Sequence, residues 1–182
     1  MRATWHVALL RGINVGRAKR VAMADLRALV ERLGYSDVST LLNSGNVLFR
    51  AAGVTAEKAA ARIEGAIAAE LGVTSRVTVL TAADLAQVME DKPAFKNADD
   101  PSRLLVAVPN RAADRARLAP LQKQSWAPEL LAVGARAAYL WCPGGIVDSP
   151  LAKAVGRSLG DGVTSRNWTT VAKLHALTRE ER

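Results

Sequence analysis

Asp37-Val38-Ser39-Thr40-Leu41-Leu42-Asn43-Ser44-Gly45-Asn46-Val47-Leu48-Phe49-Arg50 is the stretch whose reading decides the fold. Residues 37–42 and 47–50 are short runs rich in β-formers, and the Asn43-Ser44-Gly45-Asn46 segment between them has the composition of a tight reversal. The pair therefore reads as an antiparallel hairpin. Its neighbours turn the hairpin into a topology. Upstream, residues 4–10 form an apolar, β-rich run ended by Arg11-Gly12, and from about Ala22 the residues Leu26, Leu29, Val30 and Leu33 recur at helical spacing until Gly34. Downstream, Thr55 can cap a helix that turns Ile63, Ile67 and Leu71 inward, and residues 76–80 return to strand. The order is βαββαβ.

The pattern then restarts. Thr81 with Asp84 resembles a capping box that opens a helix carrying Leu85, Val88 and Met89 and ending before Pro93. The Asp-, Asn- and Pro-rich residues 92–102 read as a linker. Residues 103–108 form a strand, Asn110 can cap a helix to about Leu121, and residues 129–133 and 137–141 pair around Gly134. Ser149-Pro150 opens a further helix stopped by Gly160, a short strand follows near 163–165, and a final helix covers about Trp168 to Leu177. The expectation is an α+β protein of two tandem ferredoxin-like βαββαβ units with an additional C-terminal helix. Residues 1–91 would hold the first unit and its trailing helix, and 92–182 the second, with no residue-level similarity between them. Each sheet would carry helices on one face, leaving Ala8 and Leu10 on the other.

Composition bounds the function. Hydrophobic residues make up 49% of the 182-residue chain, enough for a substantial core. Cys142 is the single cysteine, which excludes an internal disulfide and a cysteine-clustered zinc site and fits a reducing cytoplasm. The first dozen residues make a poor export signal, and no segment approaches a membrane-spanning run. The net charge of +8 favours polyanions by long-range attraction, although the basic residues are spread along the whole chain and mixed with acidic ones.

The loop from Arg11 through Gly12, Asn14, Gly16, Arg17 and Lys19 to Arg20 gathers four cations and two glycines between the first strand and first helix. Glycines allow backbone N–H groups to approach a phosphate, and a helix start adds a favourable dipole. The loop is neither a Walker A sequence nor a dinucleotide fingerprint. Ser44 and Asn46 in the hairpin turn could add a hydroxyl and an amide, although turn chemistry alone accounts for them. Arg166, Asn167 and Trp168 could hold an anion or stack a base; the alternative is that Asn167 caps the last helix and Trp168 packs inside. Neither His6 nor His175 has marked partners for a metal site or a catalytic triad, and no metal or cofactor is expected. The aromatic signature of sheet-face RNA binding is missing from residues 46–50.

The segments Ala8-Leu9-Leu10-Arg11-Gly12-Ile13-Asn14-Val15-Gly16, Met23 with Leu26-Arg27, Ser44-Gly45-Asn46-Val47, and Ser165-Arg166-Asn167-Trp168-Thr169-Thr170-Val171 with Lys173-Leu174 resemble the bacterial "domain of unknown function 1697" family across nearly the whole chain. The resemblance implies a cytosolic bacterial protein with a duplicated ferredoxin-like fold and no established activity. Val21-Ala22-Met23 departs from the family's usual Val-Pro-Met, and Ser149-Pro150-Leu151 from its frequent Ser-Lys-Leu. Three functions remain open: a non-catalytic binding protein for a phosphate-bearing small molecule or nucleic acid, an enzyme using Arg11, Asn14, Ser44 and Arg166 between the halves, and a structural or homo-oligomeric protein.

Overall fold

In the computed structural model, residues 2–16 and 19–179 are described, and among them lie two four-stranded antiparallel sheets and six α-helices. The chain divides into two units. One takes the described residues through Ala83 and those from Leu177 onward, and the other is Asp84–Ala176.

In the first unit the strands β1 (Thr4–Leu10), β2 (Ser36–Leu41), β3 (Asn46–Ala51) and β4 (Val77–Thr81) lie in the order β2-β3-β1-β4. Helix α1 (Met23–Arg32) buries Leu26, Leu29 and Val30, three residues at helical spacing. It stops at Gly34, whose φ of +88° suits glycine and whose N–H donates to the Glu31 carbonyl at 2.9 Å. Helix α2 (Ala56–Leu71) starts where the Thr55 hydroxyl accepts the Lys58 N–H at 3.3 Å. The helices cover Ala8 and Leu10 of β1, Val47 and Phe49 of β3, and Val77 and Val79 of β4.

That register corrects the expected face of β1. Ala8 and Leu10 lie under the helices, and the residues alternating with them on the opposite face are Trp5, Val7 and Leu9, themselves buried. Composition could not choose between the faces, because both sets are apolar and a shift of one residue exchanges them.

The second unit pairs β5 (Leu104–Pro109), β6 (Leu130–Val133), β7 (Ala138–Trp141) and β8 (Val163–Asn167) in the order β6-β7-β5-β8. Helix α3 (Ala82–Glu90), which follows β4 without a break, is bonded to this sheet's hairpin. The Tyr139 hydroxyl donates to the Val88 carbonyl at 2.7 Å, Asp91 accepts the Ala135 N–H at 2.8 Å, and Arg136 pairs with Asp84 at 3.5 Å. An α-helix capped by Asn110 does not form. The Asn110 N–H donates to Gly162, and the chain makes a 3-10 stretch (Ala112–Leu118) running into the single turn α4 (Ala119–Gln122). Pro120, which lacks the N–H an α-helix interior needs, permits a start there but not a continuous run through it.

Helix α5 (Pro150–Leu159) has Ser149 as its cap, accepting the Ala152 N–H at 2.9 Å, and ends at Gly160 with φ of +58°. Its buried Leu151, Val155 and Leu159 join Leu105, Ala107, Ala138 and Leu140 of the sheet. The last helix, α6 (Trp168–Arg179), follows β8 directly, and the division between units falls within it. No described helix is long and apolar enough to cross a membrane.

Removing the Tyr139 hydroxyl isolates a buried carbonyl. Tyr139→Phe is expected to cost about 1–2 kcal/mol, read as a lower urea midpoint with an unchanged slope; an unaltered midpoint would remove this bond from the account of how α3 is held. Burial pushes the Tyr139 hydroxyl well above its usual range, and the Asp91 charge adds to the effect, so the donor keeps its proton at alkaline pH.

Candidate functional site

Strand β1 leaves the sheet in a pinned conformation. The Leu10 N–H donates to the Gly45 carbonyl and the Arg11 N–H to the Arg76 carbonyl, both at 2.9 Å, while the Ser75 hydroxyl donates to the Arg11 carbonyl at 2.9 Å. The loop beyond it uses left-handed backbone at Gly12, Asn14, Gly16 and Lys19. Asn14 is the only non-glycine of these placed to compensate through its own side chain. Its Nδ2 donates to the Val21 carbonyl at 2.9 Å and the Asn43 carbonyl at 2.7 Å, and its Oδ1 accepts the Val21 N–H at 2.9 Å. One amide thus closes the loop on itself and ties it to the hairpin turn.

Ile13 supplies the apolar half of that tie. It is buried, and a Cβ on Gly45 would stand 2.7 Å from both its Cδ1 and Leu10 Cβ. The turn itself is built on Asn46, which is fully buried and donates to the Leu41 carbonyl at 2.8 Å and the Ser44 hydroxyl at 3.0 Å. The structure therefore brings Arg11, Gly12, Asn14, Gly16, Lys19 and Arg20 together with Ser44 and Asn46 at one end of the first sheet. Arg17 lies outside the described residues. The amides of Asn14 and Asn46 are engaged in holding this end together.

Charge at the loop is lopsided. Lys19 and Arg20 are exposed, and among the described residues neither forms an ion pair. Further along the unit Arg27 pairs with Glu31, Arg32 with Glu70, Arg50 with Asp37 and Arg76 with Glu64, while Lys58 and Arg62 form no ion pair among the described residues. Helix α1 begins three residues after Arg20, at Met23, and its N-cap residue Ala22 provides no side-chain capping bond.

Arg166, Asn167 and Trp168 belong to the second unit, and each has internal work. The Asn167 carbonyl oxygen Oδ1 accepts the Thr170 N–H at 2.9 Å and so caps α6. Trp168 is buried, with the Lys92 ammonium 4.9 Å from its ring centre. Arg166 stands opposite Val106 on β8, its Nη1 donates to the Ser165 carbonyl, and burial pushes its guanidinium down to about 10.

The groups that could do covalent chemistry are poorly placed for it. Burial pushes the Cys142 thiol up, an effect the Ser149 hydrogen bond opposes, and His6 is stacked on Phe49 in the core. Among the described residues no three His, Cys, Asp or Glu side chains converge to hold a metal ion. Sequence reasoning passed over Trp126 and Glu129, which border two cavities in the second unit. The available signal was a tryptophan followed within three residues by proline and glutamate in a connection.

A family model described as "Protein of unknown function (DUF1697)" matches residues 3–139. Among solved structures, the conserved bacterial protein SP0830 from Streptococcus pneumoniae superposes with a TM-score of 0.76 at 21% identity, covering 98% of this chain and all of that one. A comparison with curated proteins finds no match. The structural likeness establishes a shared fold.

Proposed function

Since the chain belongs to the DUF1697 family of proteins of unknown function, we propose a function from the geometry: a non-catalytic protein that binds a phosphate-bearing ligand, a nucleotide or a nucleic-acid backbone, at the end of the first sheet. Lys19 and Arg20 supply the attraction, Gly12 and Gly16 allow backbone N–H groups to approach, and Asn14 holds the loop ready. The observation that carries this reading is a pair of exposed cations with no carboxylate partner among the described residues, on a loop whose left-handed backbone is fixed by an internal amide clamp. A net charge of +8 supports it at longer range. The identical strand orders of the two sheets support a ferredoxin-like duplication beneath the site, and the single buried cysteine fits a bacterial cytoplasm.

The test is a salt series of binding to a short labelled single-stranded RNA and to a labelled nucleoside diphosphate, for the native chain and for the Lys19→Ala/Arg20→Ala variant. Each lost backbone contact is expected to take about 0.7 from the slope of log affinity against log salt on a single strand. The pair should also weaken binding at low salt. Equal affinities and slopes would overturn the reading.

A further inference from the structure

The connection from α4 to β6 folds into a fixed turn that carries an anion. The Trp126 indole N–H donates to the Leu121 carbonyl at 2.8 Å, and the Glu129 N–H donates to the Trp126 carbonyl at 2.9 Å. Glu129 is only 9% exposed, and its Oε2 accepts the Leu151 N–H at 2.9 Å in the first turn of α5. Its Oε1 has no hydrogen-bond partner among the described residues. The side chain borders two adjoining cavities of about 240 and 400 Å³, on whose walls also stand Trp126, Pro128, Pro143 and Pro150.

Anchoring α5 does not by itself call for this carboxylate. Ser149 already caps the helix, and a glutamine would accept the Leu151 N–H as well. The Glu129 Oε1 is not a buried orphan: it reaches solvent and is open to a charged donor that enters beside it. Glu129 is the sole charged residue lining either cavity, in a chain whose net charge is +8. An anionic ligand would be repelled there. A carboxylate next to an aromatic ring and three prolines suits a positively charged head on a short apolar body.

We propose that this double cavity binds the ammonium or guanidinium group of a small organic cation, with Glu129 as its charged contact and Trp126 and the prolines enclosing the carbon chain. The site is built from residues of the second unit alone and stands independently of the function proposed for the first loop.

The test titrates the full chain, labelled with ¹⁵N, with agmatine and with putrescine, using n-butanol and butyrate as neutral and anionic controls and a capped arginine tripeptide as a further arm. The reporter is the Trp126 indole N–H, assigned by the missing peak of Trp126→Phe. A saturable shift with agmatine or putrescine, and with neither control, is the expected result. Glu129→Gln, which keeps the acceptor for Leu151, should weaken the cations by about tenfold or more. Pro150→Lys puts a cation at an exposed rim position and should weaken them too, so it decides the matter if Glu129→Gln does not fold. No saturable shift, equal shifts from n-butanol, undiminished binding in the variants that fold, or binding of the tripeptide alone would each overturn the proposal.

Discussion

Phe49→Ala is expected to destabilise the protein by about 3–5 kcal/mol. Phe49 is wholly buried on β3, directly opposite His6 in the β1–β3 register. Its ring stacks on His6 at 5.4 Å and meets Tyr35 at 4.6 Å, so it stands at the centre of the aromatic group under α1 and α2. Truncation leaves a cavity bounded by strand residues whose backbone positions are set by ladder bonds on both sides of β3, and that surrounding cannot collapse to fill it. A loss of this size consumes a large share of the stability of an ordinary domain. Urea unfolding should show a much lower midpoint with an unchanged slope. A loss below about 1 kcal/mol would mean that the aromatic group is peripheral to the core.

Gly45→Ala is expected to cost about 2–4 kcal/mol, from two sources. The backbone at Gly45 has φ of +77°, a left-handed conformation that alanine adopts at a penalty. The added Cβ would also stand 2.7 Å from Ile13 Cδ1 and from Leu10 Cβ. The isoleucine tip can swing away, but Leu10 Cβ is fixed to a strand whose N–H bonds the Gly45 carbonyl, so part of the collision must be absorbed by backbone. Gly72→Ala provides the control. It shares the left-handed φ, at +63°, yet a Cβ there meets nothing within 4 Å. The difference between the two variants isolates the collision and should be at least about 1 kcal/mol. Amide exchange at Leu10 and Asn14 should quicken in Gly45→Ala alone; equal stabilities for the two variants would show that the close approach of Ile13 is dispensable.

The hairpin, the helix stops and the caps at Thr55 and Ser149 were legible in the sequence because each is a local matter: residues a few positions apart settle the backbone between them. Asn14 was legible as a polar loop residue but not as a clamp, since it bonds backbone groups 7 and 29 residues away, which no spacing rule connects. The face of Ala8 and Leu10 was misjudged for a related reason. A strand apolar on both sides carries no alternation, and only its register with β3 and β4 orients it. Between β5 and β6 the helical pattern is visible, but Pro120 within it breaks the run into a 3-10 stretch and a single α-turn. Glu129 looked like the start of a strand, and its burial arises from the tertiary approach of α5.

Anion binding by the first loop is tested most directly by following backbone amides while pyrophosphate is added to the ¹⁵N-labelled protein. The amides of Gly12, Gly16, Lys19 and Arg20 are expected to shift together and saturably, and to stop responding in Lys19→Ala/Arg20→Ala. Saturable shifts confined to other residues, or no saturable shift at any amide, would contradict the account.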